Sequence, residues 1–322
     1  MSEAGQRNAD EVRDVVVSAI VPAAAGVVSV ILSPVGDDKL PSWEPGAHID
    51  LLLGPDLERQ YSLCGDLGDR CRWQVSVLRE PDSRGGSAWV HERLRVGDVL
   101  RCRGPRNNFP LQAADEYLFI AGGIGITPLL PMIARCTENN ANWRLVYGGR
   151  SEASMAFRDL LAEHGERVTI WPQDTHGLPD LDTLLAEPRA GTAIYSCGPE
   201  PLLAAVEDRC RAWPAGTLHL ERFRPRPGAL DGVSTAFEVE LDQSGMVLEV
   251  PAGESILDTL EAAGVDVPNA CREGTCGTCE TVVLEGEPDH RDSFLTEDER
   301  ASGEVMMVCC SRALSKRLVL DL

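Results

Sequence analysis

Residues 269–280 read NACREGTCGTCE, which places cysteines at 271, 276 and 279, with Cys309 thirty positions after the third. Four thiolates in this C-x4-C-x2-C spacing, with one distant partner, are the plant-type ligand set of a [2Fe–2S] cluster. Gly274 and Gly277 let a tight loop wrap the cluster with backbone N–H groups turned toward its sulfurs. Zinc is the alternative, but zinc ribbons pair two C-x2-C knuckles, which this loop does not supply. Cys309 and Cys310 are adjacent, so only one ligates. The interval of 29 residues favours Cys309 and leaves Cys310 a buried bystander. The expected metal ligands are therefore Cys271, Cys276, Cys279 and Cys309.

Around this loop the pattern is that of a small α+β module over residues 236–322. Phe237–Leu241 and Val247–Val250 flank a QSG turn and read as a hairpin. Ser255–Ala263 reads as a short helix, and Thr281–Leu284 and Leu318–Leu320 as strands. Ahead of it, residues 224–234 (RPRPGALDGVS) are rich in Pro and Gly and read as a stiffened linker, assigned to residues 227–235.

From Glu116 to Phe223 the texture is strand, turn, helix, repeated, which implies a parallel sheet covered by helices. Strands are expected at Tyr117–Ala121, Arg144–Tyr147, Val168–Trp171 and Ala193–Ser196, and an amphipathic helix at Pro201–Trp213. Ala121-Gly-Gly-Ile-Gly-Ile-Thr-Pro128 follows the first strand. It is not G-x-G-x-x-G, yet Gly122, Gly123 and Gly125 turn the chain tightly enough to admit a pyrophosphate. Thr127 is placed to N-cap the helix, Pro128 suits its first position, and the helix N-terminus faces an anion. A plain β–α turn is the alternative. Tyr195-Ser-Cys-Gly-Pro199 ends another strand; Cys197 there is a site residue or an inert buried thiol.

From Val15 to about Pro110 the chain shows only short β-rich runs, at His48–Leu53, Gln60–Cys64, Trp73–Leu78 and Val99–Arg103, which read as a small barrel. The apolar stretch Val15–Leu32 is interrupted by Pro22 and Gly26 and has no basic flank. It reads as two strands around a Pro–Gly turn rather than a membrane span or signal peptide. The polar start, residues 1–14, is expected to fray. Arg59-Gln60-Tyr61-Ser62 on a strand offers a cation, an aromatic face and a hydroxyl, the groups a flavin requires. Arg59 and Tyr61 share one face. Arg84-Gly85-Gly86-Ser87 precedes a short helix and suits a phosphate. The bland readings are an ordinary barrel strand and a surface turn with a Ser N-cap.

The 322 residues are 43% apolar and 25% charged, so a folded chain of two or three domains is expected. The formal charge of −21 argues against nucleic acid as a partner. Residues 236–322 hold 19 Asp and Glu against 6 Arg and Lys, so this quarter of the chain carries much of the excess. Eleven cysteines in a chain this large fit a reduced, cytoplasmic compartment with clustered thiols in a metal role.

The cysteine loop with its following GEPDHRD and MMVCCSRA runs resembles the plant-type ferredoxin module of class IA oxygenase reductases. RQYS and RGGS together resemble the ferredoxin–NADP reductase superfamily, and more closely its phthalate dioxygenase reductase branch. GGIGITP and YSCGP resemble the nucleotide domain of the same group. The resemblance implies a multidomain α+β and α/β protein. An antiparallel flavin-binding β-barrel (1–112), an α/β pyridine-nucleotide domain (113–226), a linker and a β-grasp ferredoxin domain (236–322) follow one another. It implies FMN at Arg59, Gln60, Tyr61, Ser62, Arg84, Gly85, Gly86 and Ser87. It implies the dinucleotide at Gly122, Gly123, Gly125, Thr127, Arg150, Cys197, Gly198 and Pro199. Ser62 and Cys197 lie nearest the chemistry, and Phe223 either covers the isoalloxazine or packs in the core. NADH is favoured; Arg150 and Ser151 after RLVYGGR leave NADPH open. The implied activity is an NAD(P)H-dependent oxygenase reductase, passing electrons through FMN and [2Fe–2S] to a Rieske oxygenase or a cytochrome P450. A cytoplasmic monomer with no membrane contact is expected. The competing readings are a flavin/iron–sulfur oxidoreductase with its own small-molecule substrate, a non-catalytic redox sensor, and a zinc-binding interaction module.

Overall fold

Valine-rich alternation forms the first hairpin, β1 (Arg13–Ala24) and β2 (Val27–Pro34). The turn is made by Gly26 at φ +74. Pro22 does not take part in it. Pro22 lies inside β1 opposite Val28, at a register shift between Pro22 and Ala24, where a missing N–H is tolerated. The computed structural model describes residues 11–54 and 57–322. The first ten residues, expected to fray, lie outside the described residues, and Arg13 and Asp14 already belong to β1.

Four more strands complete a six-stranded antiparallel sheet: β3 (His48–Gly54), β4 (Leu57–Ser62), β5 (Trp73–Leu78) and β6 (Val99–Arg106). Their order is β4-β3-β6-β1-β2-β5. The two outer strands meet at a single bridge, Leu63 to Val75, which curls the sheet round a core that includes Val15, Val30, Leu32, Ile49, Leu51 and Trp73. Beyond that bridge β4 pairs, among the described residues, only with β3, which leaves one edge of Arg59–Tyr61 without a neighbouring strand there. Helix α1 (Gly86–Glu92) follows β5.

The parallel sheet has β7 (Glu116–Gly122), β8 (Asn142–Gly149), β9 (Val168–Pro172), β10 (Thr192–Cys197) and β11 (Leu218–Glu221). Helix α2 (Leu129–Glu138) follows β7. One-turn helices α3 (Arg158–Ala162), α4 (Gln173–His176) and α5 (Leu181–Leu184) precede β10, and α6 (Glu200–Cys210) follows it. The order β11-β10-β7-β8-β9 means that the chain runs outward from β7 and then returns to its other side. The crevice at the carboxyl ends of β7 and β10 is thus the topological switch point, where open α/β sheets bind ligands. Barrel and sheet form one compact unit, Met1–Glu221. Phe109 packs edge-on against Tyr195 with ring centroids 5.4 Å apart, and Arg135 reaches Glu44 at 3.2 Å.

The second unit, Arg222–Leu322, has the order β13-β12-β18-β14-β16. Its strands are β12 (Phe237–Leu241), β13 (Met246–Val250), β14 (Glu280–Glu285), β16 (Val305–Met307) and β18 (Arg317–Leu320), with β15 (Pro288–Asp289) paired to β17 (Arg312–Ala313) outside the main sheet. β12 and β18 are parallel and their other pairings antiparallel, with helix α7 (Ile256–Ala262) contributing Ile256, Leu257 and Leu260 to the core. This is the β-grasp arrangement. A second helix, α8 (Glu297–Ser302), carries three acidic residues in its first turn. The stretch read as a linker is held by Arg291, Arg312 and Ser293 of this unit. Arg291 donates to Val233 O at 3.0 Å, Arg312 donates to Thr235 O at 3.0 Å, and Arg226 N donates to Ser293 Oγ at 2.7 Å. Among the described residues no helix is long and apolar enough to cross a membrane; Val15–Leu32 is β-structure.

Candidate functional site

Arg59 and the RGGS turn, twenty-five residues apart, come together. The Arg59 guanidinium donates to Arg84 O at 2.5 Å and to Glu58 O at 2.7 Å. A Cβ on Gly86 would lie 2.5 Å from Arg59 Cγ, so only glycine lets the arginine lie across the start of α1. Gly85, at φ +95, makes the turn. The helix opens at Gly86, so Ser87 sits in its first turn and is not an N-cap. Its hydroxyl donates to Ser83 Oγ at 3.0 Å and accepts from Glu80 N at 3.2 Å. Ser83 Oγ in turn accepts from Gly85 N and Ala88 N, each at 3.2 Å. Ser83 escaped the sequence reading; its signal is a second serine four positions before Ser87. With no acidic residue in that first turn, the cradle suits an anion.

Tyr61 shares the face of Arg59, and burial pushes its phenol up to about 12 against the pull of Arg59. It is a neutral ring at working pH. Gln60 Nε2 lies 3.4 Å from His48 Nε2, and Ser62 is buried opposite His48 across the β3–β4 ladder.

At the switch point the glycines serve close approach. A Cβ on Gly125 would lie 2.3 Å from Cys197 O, and one on Gly122 would lie 2.6 Å from Pro199 Cδ. A Cβ on Gly198 would meet Gly122 Cα at 2.9 Å. The turns after β7 and β10 therefore touch backbone to backbone. Thr127 departs from expectation. Gly123–Ile126 continue as a 3-10 turn, Thr127 closes it by donating Oγ1 to Ile124 O at 2.9 Å, and α2 begins only at Leu129. Thr127 therefore braces the turn, and Pro128 stands at the cap position of α2 with no side-chain cap. Arg150 is exposed just past β8, but Ser151 and Ser154 cap each other, which occupies the Ser151 hydroxyl.

Cys197 is buried, with its Sγ 3.9 Å from Glu221 Oε2. Burial first, then the Glu221 carboxyl, hold the thiol well above its ordinary value, so it stays protonated. Burial also pushes Glu221 up to about 8, against a small opposing effect of the Cys197 thiol. Only sheet order reveals this pair, since Cys197 and Glu221 are register partners on β10 and β11. A linkage follows. From pH 4.5 to about 8 the unfolded chain has lost this proton while the folded chain keeps it, so folding stability falls as pH rises through that window. Gln at 221 cannot ionise, so Glu221→Gln is expected to gain about 1–2 kcal/mol on the parent between pH 5 and 8.5, discounted because the side chain is only half-buried. Thermal melts at five pH values check this; parallel curves for the two proteins would sink it. Phe223 is 41% exposed, which leaves its ring outside the core.

In the second unit the cysteine loop brings its thiols together. Cys271 lies within hydrogen-bonding reach of Cys276 and Cys309, and Cys309 also reaches Cys279. Glu273 N and Thr275 N each donate to Cys271 Sγ at 3.4 Å. Gly274 and Gly277 have φ +68 and +73. A Cβ on Gly277 would meet the Phe294 ring at 2.5 Å, and one on Gly274 would meet Asp292 Cα at 2.7 Å. Asp292 is fully buried and accepts from Phe294 N at 3.0 Å and Leu295 N at 2.8 Å, which fixes the floor under the loop. Four soft sulfurs, inward amides and glycines with no room for side chains fit an iron–sulfur cluster.

Comparison with known proteins agrees with this geometry. A family model for the 2Fe-2S iron–sulfur cluster binding domain matches residues 239–314, and one for the dimethylamine monooxygenase subunit DmmA-like N-terminal domain matches residues 100–215. Phenoxybenzoate dioxygenase subunit beta of Ectopseudomonas oleovorans is 44% identical over 310 residues, 95% of this chain and 96% of that one. The solved phthalate dioxygenase reductase, described as a modular structure for electron transfer from pyridine nucleotides to [2Fe–2S], superposes with a TM-score of 0.70 at 36% identity, over 97% of this chain and 98% of that one. Full-length CYP116B46 of Tepidiphilus thermophilus superposes with a TM-score of 0.86 at 45% identity over 97% of this chain, which spans only 42% of that longer protein. The chain belongs to the phthalate dioxygenase reductase-type family of oxygenase reductases, flavin- and [2Fe–2S]-dependent oxidoreductases that use pyridine nucleotide.

Proposed function

We propose that the chain takes reducing equivalents from NADH and delivers them singly to a separate oxygenase, and that the residues brought together above carry this out. When bound, FMN and the cluster would supply the conversion of a two-electron donor into one-electron steps. Arg59, Arg84, Gly85, Gly86 and Ser87 hold the flavin phosphate. Tyr61 offers its ring to the isoalloxazine, with Gln60 and Ser62 at its edge. Gly122, Gly123, Gly125, Gly198 and Pro199 shape the dinucleotide crevice and Thr127 braces it, while the Cys197 thiol stays protonated beside the nicotinamide. Arg150 lies toward the adenosine end, and the occupied Ser151 hydroxyl favours NADH over NADPH. Phe223, with its exposed ring, is read as a flavin residue rather than a core one. Cys271, Cys276, Cys279 and Cys309 hold the cluster. No general base is required. The barrel, nucleotide and ferredoxin parts are read as residues 1–112, 113–226 and 236–322.

The observation that carries this reading is the switch-point crevice, where the glycine turns after β7 and β10 abut on the same compact unit as the Arg59 cradle. The partner is read as a Rieske oxygenase or a cytochrome P450 with a basic docking face. The acidic second unit would steer it. A cytoplasmic monomer completes the reading. The test is the purified protein, loaded with flavin and iron. Flavin and iron–sulfur absorption bands bleached anaerobically by NADH, with rapid cytochrome c reduction, are expected. A colourless protein favours zinc, and a coloured one with little turnover on artificial acceptors favours a sensor; either result overturns the proposal.

A further inference from the structure

Residues 236–290 contain one Lys or Arg, Arg272, among thirteen Asp and Glu. It directly follows Cys271, and its backbone is left-handed, with φ +55. Such a conformation is costly for a side chain without local polar compensation and persists only where surroundings hold it. Here the guanidinium does the holding. It donates to Asp258 Oδ1 at 3.0 Å and to Asn269 Oδ1 at 3.3 Å, and it forms a close ion pair with Glu261. Each acceptor has a second attachment. Asp258 Oδ2 accepts from Ser255 N at 3.3 Å, which closes the capping box of α7, and from Ser255 Oγ at 2.7 Å. Glu261 Oε1 accepts from Asn269 Nδ2 at 3.3 Å, and Asn269 Nδ2 also donates to Val267 O at 3.0 Å. The result is a closed network from the start of α7, through Asn269, to the residue beside Cys271.

A single exposed ion pair contributes little. This network differs because it spans two segments and fixes a strained backbone next to the two amides that point at Cys271 Sγ. Its charge also matters. A cluster's potential responds to net charge nearby, and Arg272 is the cation carried on the cysteine loop itself, residues 269–280.

We propose that Arg272 is a positioning residue for the iron–sulfur centre: its clasp on Asp258, Glu261 and Asn269 pins the loop carrying Cys271 to α7, and its charge raises the reduction potential of the cluster. The inference rests on the cluster reading above and goes beyond ligation.

Two readouts besides turnover test it in the loaded full-length protein: the cluster midpoint from an EPR-monitored redox titration, and the rate at which cluster absorbance is lost under chelator. Arg272→Ala is expected to lower the midpoint and to speed loss roughly five- to tenfold, the scale of a lost three-acceptor network. Arg272→Gly separates clasp from strain. It relaxes the backbone, yet should lose the cluster as fast as the alanine variant. Arg272→Lys should restore the midpoint more fully than retention, since an ammonium cannot fork between two carboxylates as guanidinium does. Glu261→Gln should shift the midpoint upward. Parental midpoint and retention in Arg272→Ala, or better-than-parental retention in Arg272→Gly, would overturn the proposal. A parent protein with no cluster bands would overturn the cluster reading itself, and the clasp with it.

Discussion

Cys309→Ser is expected to strip the iron–sulfur bands from the purified protein and to cut cytochrome c reduction roughly tenfold or more, because a plant-type cluster needs all four thiolates. Flavin bleaching by NADH should persist, since no residue assigned to the flavin or the dinucleotide is a ligand of the cluster. Cys310→Ser should change either readout less than about twofold, because serine nearly matches cysteine in size at a site that ligates nothing. The geometry separates two residues that are adjacent in sequence. Cys309 is buried and its sulfur reaches Cys271 and Cys279 as well as its neighbour Cys310. The chain turns tightly after β16, with Cys310 N and Ser311 N both donating to Met307 O, at 3.2 and 2.9 Å. The Cys310 sulfur packs against Gly274, 2.4 Å from where a Cβ there would lie, and its own hydrogen bonds run to Met307 O and Ser311 Oγ. Loss of the bands in Cys310→Ser with retention in Cys309→Ser would reverse the ligand assignment.

Much of the fold was legible because most strands are short alternating or apolar runs set off by glycine. β5 spans the expected Trp73–Leu78, and β12 the expected Phe237–Leu241. Errors arose where a local signal had two meanings. Pro22 looked like part of a turn, but a bulge absorbs it. β6 was expected to stop at Arg103, before Gly104-Pro105. It continues to Arg106, which pairs with His48 after a register shift between His48 and Asp50. Thr127-Pro128 is a strong helix-start signal, yet three glycines ahead of it favour a 3-10 turn that takes the threonine hydroxyl for itself.

The site was legible where it is local and hidden where it depends on pairing. The spacing of Cys271, Cys276 and Cys279 and the RGGS turn are contiguous signals. Glu221 beside Cys197 depends on β11 lying next to β10, and Arg272 with Asp258 depends on α7 folding back over fourteen residues. Neither follows from composition or periodicity. The glycines of GGIG were read as room for a pyrophosphate. The structure adds a second reason for two of them, since their missing side chains admit the neighbouring turn.

That second reason makes the glycines experimentally separable. At Gly125 a methyl group would meet the carbonyl carbon and oxygen of Cys197 at 2.4 and 2.3 Å, and Gly198 N at 2.6 Å. These are backbone atoms at the end of a strand laddered on both sides, to β7 and to β11, so they cannot yield. The 3-10 turn must move instead, and a shift of about 1 Å in a positioning element costs roughly 100-fold in rate. Gly125→Ala is therefore expected to slow NADH-dependent flavin bleaching about 100-fold, and to lose about 1–3 kcal/mol of stability to overpacking. Flavin and iron content should be unchanged. At Gly122 the obstructing atoms are Pro199 Cδ and Leu202 Cδ2, side chains that give more readily, so Gly122→Ala should fall between. Gly123 has nothing within 4 Å of a Cβ and bears only its left-handed φ of +54. Gly123→Ala should therefore cost about 1–2 kcal/mol of conformational strain and little rate. Stopped-flow reduction of the three variants gives the ordering. If Gly125→Ala bleaches at the parental rate, or Gly123→Ala is the slowest, the contact between the two turns does not govern hydride delivery.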